Sequence, residues 1–207
     1  MKNYLVLILT IAGFTLNAQW PQKKETAYYK VGVWFLEADQ HFTSSGFKDP
    51  NATRGIFITD FFGRYGISDN LTTFVYIPYT TVYQNKQVFS SGRPPIEGEL
   101  FSSLGDVIIG FEHKLSNNNG WAISATVQLG IPTGNEEGGS DKSYQTGDGE
   151  FNQLLKINLG KTFNISSQPF YFKSNLGFNQ RSKGYSDEWR FGLETGTKVT
   201  KKLLVIS

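Results

Sequence analysis

"WAISATVQLGIPTG", residues 121–134, decides how this chain is read. Trp121, Ile123, Ala125, Val127, Leu129 and Ile131 fall on one face of an extended backbone, and Ser124, Thr126, Gln128 and Gly130 fall on the other. Side chains alternate with period two in a β-strand, so strict alternation over about ten residues predicts a strand with one apolar and one polar face. Strands of globular domains are commonest at about five or six residues, whereas a tilted membrane-crossing strand needs about 9 to 11. The length suits a bilayer better than a sandwich.

The same alternation recurs along the chain. Tyr29, Val31, Val33 and Phe35 oppose Lys30, Gly32 and Trp34; Phe57, Phe61, Tyr65 and Ile67 oppose Ile58, Asp60, Phe62 and Arg64. Leu71, Val75, Ile77 and Tyr79 form a third segment, and Val107, Ile109, Phe111 and Leu115 a fourth, opposite Asp106, Gly110, Glu112 and Lys114. After the Trp121 segment, Phe151, Leu155, Ile157, Leu159 and Phe163 face Glu150, Asn152, Lys156, Asn158 and Gly160. Phe170, Phe172, Leu176 and Phe178 then face Lys173, Asn175, Gly177 and Arg181, and Trp189, Phe191 and Leu193 face Arg190, Gly192 and Glu194. These predict eight strands, and "LLVIS" begins a ninth.

Connections between the segments alternate in length, from "TSSGFKDPNAT" to "SDN", then "NKQVFSSGRPPIEGELFSS", "SNNNG", "NEEGGSDKSYQTG" and "NISSQP". Short turns at one end and long loops at the other are the habit of an antiparallel up-and-down transmembrane β-barrel. A closed bacterial barrel of one chain has an even strand number and no free edge, so a ninth strand that has only begun is expected to mean either that at least one strand is lacking at the C-terminus or that the last piece is displaced.

The opening "MKNYLVLILTIAGFTLNAQW" carries Lys2, an apolar run to about Leu16 and Ala18 before Gln19, which is the form of a secretory signal peptide over residues 1–18 cleaved after Ala18. Residues 19–207 contain no linker or composition shift and read as one barrel domain. There is no Cys, so disulfides and cysteine-linked lipid are excluded. A formal charge of +2 gives no argument for nucleic acid. The chain is polar on average, with mean hydropathy −0.31, yet holds 17 Phe, 10 Tyr, 4 Trp and 22 Gly. That composition suits strands whose apolar face meets lipid, and with the leader it points to an outer-membrane barrel, for which the expected location is the cell outer membrane and the expected surroundings are lipid and lipopolysaccharide.

"YYKVGVWFLEADQHFT", "YGISDNLTTFVYIPY", "LGDVIIGFEHKLS", "VQLGIPTGN", "TGDGEFNQLLKINLGKTF" and "LGFNQRSKGYSDEWRFGLETG" together resemble, in this order, the outer-membrane β-barrel proteins of Bacteroidetes-type bacteria. Broader relatives of those proteins are labelled meta-pathway phenol-degradation proteins or hydrophobic-compound transporters. The resemblance covers nearly the whole chain after the leader and implies a barrel and an outer-membrane location; a small apolar ligand is a further expectation that the transporter label suggests.

Chemistry must come from the polar faces. Residues 135–150 carry Glu136, Glu137, Asp141, Asp148 and Glu150, oxygen ligands of the kind calcium takes, but without EF-hand or phosphate-loop spacing. They read as a solvated external loop, compatible at most with divalent-ion contact to lipopolysaccharide phosphates. The two histidines, His41 and His113, have no identifiable serine partner, so no catalytic residues, metal site or cofactor are expected. The lumen-facing set is Lys30, Trp34, Asp60, Arg64, Asp106, Glu112, Lys114, Glu150, Asn152, Lys156, Lys173, Arg181, Arg190 and Glu194. Balanced charges of this kind either fill a small barrel with ion pairs or line a narrow polar pathway whose selectivity they set. Trp34 is either a ligand platform or interior filling. The strand-end aromatics Trp20, Tyr28, Tyr29, Tyr65, Tyr79, Tyr83, Trp121, Phe163 and Trp189 read as interfacial girdles. The functional expectation is a passive channel for small molecules, apolar ones included. The alternatives are a sealed structural or surface-interaction barrel, whose partners would meet the loop from Gln84 to Ser103, and a soluble secreted β-sandwich.

Overall fold

The computed structural model describes residues 21–49, 54–87, 92–200 and 203–207. The leader assigned to residues 1–18 lies outside them. Twelve strands and no helix occur among the described residues: β1 Ala27–Ala38, β2 His41–Phe42, β3 Lys48–Asp49, β4 Arg54–Ser68, β5 Leu71–Gln84, β6 Glu99–Leu104, β7 Val107–Asn118, β8 Trp121–Ile131, β9 Asn152–Ile165, β10 Gln168–Arg181, β11 Glu188–Lys198 and β12 Leu204–Ile206. All eight expected strands are present, as β1, β4, β5 and β7 to β11, and "LLVIS" supplies β12.

One antiparallel sheet contains all of them except the β2–β3 hairpin, in the order β1-β4-β5-β7-β8-β9-β10-β11-β12. Every neighbour in that path is the next long strand in the chain, so the sheet is a meander, strongly curled into about half a barrel. Among the described residues it does not close on itself. β1 pairs only with β4, and β12 covers only Gly196 to Lys198 of β11 in ladder pairing.

Two elements differ from the sequence reading. The linker read as "NKQVFSSGRPPIEGELFSS" contains β6, which pairs with Tyr79 to Gln84 of β5 while β7 pairs with Leu71 to Tyr76. β6 and β7 are thus one strand position, broken at Gly105 and Asp106 opposite Pro78. Pro78 has no N–H to give to a ladder, and only its carbonyl is used, by the Gly105 N–H at 2.8 Å. The first long loop likewise contains the β2–β3 hairpin.

Short turns gather at one end. Asn119 and Gly120 both hold positive φ, at 51° and 79°, the backbone that a two-residue hairpin with right-handed strand twist requires. Ser166 and Ser167 do the same between β9 and β10. The described parts of the longer connections, which follow β1, β5, β8 and β10, lie at the other end.

Burial is inverted relative to a water-soluble domain. The largest fully buried side chains are Glu150, Asn158, Asn179 and Thr72, whereas Leu155, Ile157, Leu176, Phe191 and Leu193 are exposed on the convex face. The inward glycines explain part of the composition. Positions 32, 110, 192 and 196 lie directly across from Asp60, Phe74, Asn175 and Tyr171, and a Cβ on any of these glycines would come within 2.1 to 2.6 Å of that partner's side chain. Each glycine leaves the room its cross-strand neighbour occupies, so bulky inward side chains lie flat against the wall.

Candidate functional site

The concave face carries three polar clusters and one aromatic wall. The first cluster joins β4, β7, β8 and β9. The Arg64 guanidinium donates to Glu112 Oε2, the Ser124 hydroxyl donates to Glu112 Oε1 at 2.5 Å, and Asn158 Nδ2 donates to Ser124 at 3.1 Å and Thr126 at 2.9 Å. The side chain of Glu112 is only 3% exposed and that of Arg64 17%, so their charges compensate each other out of water. Lys156 is half-buried and lies in the same inward register row, across from Thr126, which is itself across from Glu112.

The second cluster sits at the long-loop end. Arg181, at the end of β10, pairs with Glu150, with Glu188 at 2.8 Å and with Asp148 at 3.6 Å. Glu188 also accepts from Arg190 at 2.7 Å, and Asn179 Nδ2 donates to Asn152 Oδ1 at 2.9 Å. One arginine therefore ties the end of the 132–151 connection to the β10–β11 hairpin. The third cluster is smaller: Lys173 Nζ and the Tyr171 hydroxyl both donate to Glu194 Oε1, at 2.9 and 2.7 Å.

The aromatic wall lies on β1, β4 and β5. Phe62 stands edge-on to Tyr28 and tilted against Phe74, with ring centroids 6.5 and 6.2 Å apart. Lys30 places its ammonium 5.9 Å from the Phe62 centroid, a cation–π contact. Asp60 rests on Gly32. Trp34 is 47% exposed on the inward face of β1, beside the open edge.

The remaining expected residues have local duties. Lys114 donates to the Asp69 carbonyl at 2.9 Å, next to the turn between β4 and β5. Asp106 staples the long loop: Oδ1 accepts the Gly134 N–H at 2.9 Å and Oδ2 the Asp148 N–H at 3.0 Å.

That loop is folded, not merely solvated. Tyr144 is buried, Ser140 donates through its N–H and hydroxyl to Glu99 of β6 at 2.7 and 2.6 Å, and Thr146 donates to the Leu104 carbonyl at 2.9 Å. Its carboxylates are engaged, Glu136 with Lys183 at 2.9 Å and Glu137 with Lys142 at 2.6 Å. Donation from the Ser143 hydroxyl and N–H holds the Asp141 carboxyl below its ordinary range, and burial pushes the Tyr144 phenol up. Among the described residues no group of His, Cys, Asp or Glu is arranged to hold a metal ion.

No protein-family model and no curated protein matches this chain. The function must therefore be argued from its own residues.

Several of those residues are absent from the charge-based expectation. Ser124, Thr126 and Asn158 already alternate with apolar neighbours, but as neutral groups they give no signal of an ion-pair network. Glu188 precedes Trp189 at a strand start, where the same alternation, extended by one step from Arg190, turns it inward. Tyr171 belongs to a run of aromatics, "FYF", in which only the cross-strand pairing with Gly196 tells inside from outside.

Proposed function

We propose that this chain is an outer-membrane β-barrel that gives small molecules a passive path through a polar, charge-lined interior. The observation that carries the reading is the inverted burial. Glu150 and Asn158 are each 1% exposed, while Phe191 and Leu193 are 73% and 58% exposed on the opposite face. A continuous apolar surface of this extent is unfavourable in water and favourable against hydrocarbon. Backbone groups in hydrocarbon must be paired, which a closed ladder of tilted strands achieves and an open sheet does not. The proposal therefore takes the sheet as part of a barrel whose closure covers the free edges of β1 and β11 and the inward-facing Trp34 and Leu36.

The strand dimensions agree with this reading. β4 and β5 run 15 and 14 residues, more than a tilted strand needs to cross the hydrocarbon, and the outer half of β5 carries β6, to which the 132–151 loop is hydrogen-bonded.

Liposome swelling and single-channel recording on the purified, reconstituted protein test the proposal, with heat-modifiable gel mobility reporting the folded barrel. Conductance steps and solute-dependent swelling are the expected results. A folded, membrane-inserted protein without conductance or solute uptake refutes passage and leaves the sealed barrel; partition into the aqueous phase without detergent refutes the membrane reading itself.

A further inference from the structure

We infer that residues 21–26 form a strap folded onto the inner wall at the short-turn end, and that this strap limits the width of the path there. The effect on width rests on the passage reading above.

Ladder pairing of β1 with β4 begins at Ala27 opposite Tyr65, and one step further the Gly66 N–H donates to the Thr26 carbonyl at 2.9 Å. A strand that simply continued would leave the sheet at its end. Instead the chain turns. The Thr26 N–H donates to the Lys23 carbonyl at 3.1 Å, and Glu25, third of the four turn residues, holds φ at 61°. Positive φ is uncommon for a residue with a Cβ and persists only where its surroundings fix it. Here they do: the Glu25 N–H donates to the Gly66 carbonyl at 2.8 Å, and the Lys24 N–H to Asp69 Oδ1 at 3.2 Å.

The turn carries the preceding residues over the inner face. Gly66 is two residues from the inward Arg64 and directly opposite Thr72, which is fully buried and lies opposite the inward Glu112. The Gln22 N–H donates to Thr72 Oγ1 at 2.7 Å. A Cβ on Gly66 would fall 2.0 Å from the Lys23 carbonyl oxygen and 2.8 Å from that of Gln22. Residues 22 and 23 therefore lie against the wall at the level of Thr72, in the space that any side chain at 66 would need. The φ of Gly66 is not positive, so this glycine serves the close approach of the strap and no turn of its own. Pro21 is buried.

The turns 69–70, 119–120 and 166–167 are two residues long, too short to fold back over the inner face, whereas the strap adds a layer of main chain inside the wall. Such a layer reduces the cross-section open to solute, and passage follows pore diameter. Its hold on the wall is light. It consists of single hydrogen bonds, and among the described residues the strap's one ion pair, Lys24 with Glu25, is internal to it.

Two variants displace the strap by different means. Gly66→Ala puts a methyl where the Lys23 carbonyl lies, and Gln22→Pro removes the N–H given to Thr72 while leaving the wall untouched. In detergent, tryptic cleavage after Lys23 and Lys24, read by mass spectrometry, should be at least about fivefold faster in each variant than in wild type, the factor by which one lost hydrogen bond raises local opening. In planar bilayers their unit conductance should rise about 1.5-fold or more. Heat-modifiable mobility establishes that each variant is folded; if Gly66→Ala is not, Gln22→Pro decides alone. Wild type cut as fast as the folded variants overturns the strap. Faster cleavage with unit conductance within about 10% of wild type overturns its control of the width. If the folded wild type does not conduct, the passage reading fails and cleavage decides separately: protection lost in the variants keeps the strap without its effect on width, and equal cleavage overturns both.

Discussion

Leu176→Arg separates a bilayer-facing sheet from a water-facing one. Leu176 lies on the convex face near the middle of β10, 54% exposed, with Ile157 of β9 and Phe191 of β11 as its direct cross-strand neighbours. An arginine on the lipid face of a barrel costs about 2–4 kcal/mol at the bilayer midplane and about 0–1 near the interface. The same exposed substitution in water changes stability by no more than about 0.5 kcal/mol. Ile165→Arg, at the last residue of β9 and also exposed, serves as the depth control. Reversible urea unfolding in phosphatidylcholine vesicles, followed by tryptophan fluorescence, should place Leu176→Arg at least about 2 kcal/mol below wild type and Ile165→Arg within about 1 kcal/mol of it. Equal unfolding midpoints for wild type and Leu176→Arg would refute the reasoning, because the convex face would then be meeting water.

Three further outcomes follow from the interior. Glu112→Gln leaves the Arg64 guanidinium without its counter-charge at a buried position, so a loss of about 3 kcal/mol is expected, largely recovered by adding Arg64→Met in a double-mutant cycle. Gly110→Ala drives a methyl to within 2.1 Å of the Phe74 ring, which already lies against Phe62 with centroids 6.2 Å apart, and should cost about 1–3 kcal/mol in the same urea titration. Asp106→Ala removes the acceptor of both the Gly134 and the Asp148 N–H, and limited proteolysis should then cut within residues 136–143 well before the strands of wild type are touched.

The fold was legible wherever one side of a strand differs chemically from the other. Period-two alternation in "WAISATVQLG" or "FNQLLKINLG" is imposed by two different environments, so it gives both the strand and its facing. β6 escaped because "ELFSSL" carries Leu100 and Leu104 on one face and Phe101 on the other, and it owes its extended form to the outer half of β5. The interior was legible as a set of inward residues but not as a set of partners. Alternation places Glu150 and Arg181 inside; it cannot say that Arg181 gathers Asp148, Glu150 and Glu188, because that depends on register across β9, β10 and β11. Asp106 is the sharpest case, since its place opposite a run of apolar residues suggests the lumen while its two accepted N–H groups make it a loop staple.

The way these charges pair bears on passage against sealing. An ion-pair network that plugs a barrel must join strands on opposite sides of the cavity. Lys173 and Glu194 are direct register partners on adjacent strands, Arg181 reaches Glu188 on the next strand, and Arg64 reaches Glu112 on β7 with only β5 between them. Phe74, Asp60 and Tyr171 lie over the glycines of their neighbours instead of pointing into the middle. Charges neutralised along the wall, and bulky side chains folded flat against it, are what the proposed barrel needs to keep its interior polar without filling its centre. A sealed core of the same volume would be held as well or better by apolar packing, which favours the passage proposed above over a sealed barrel.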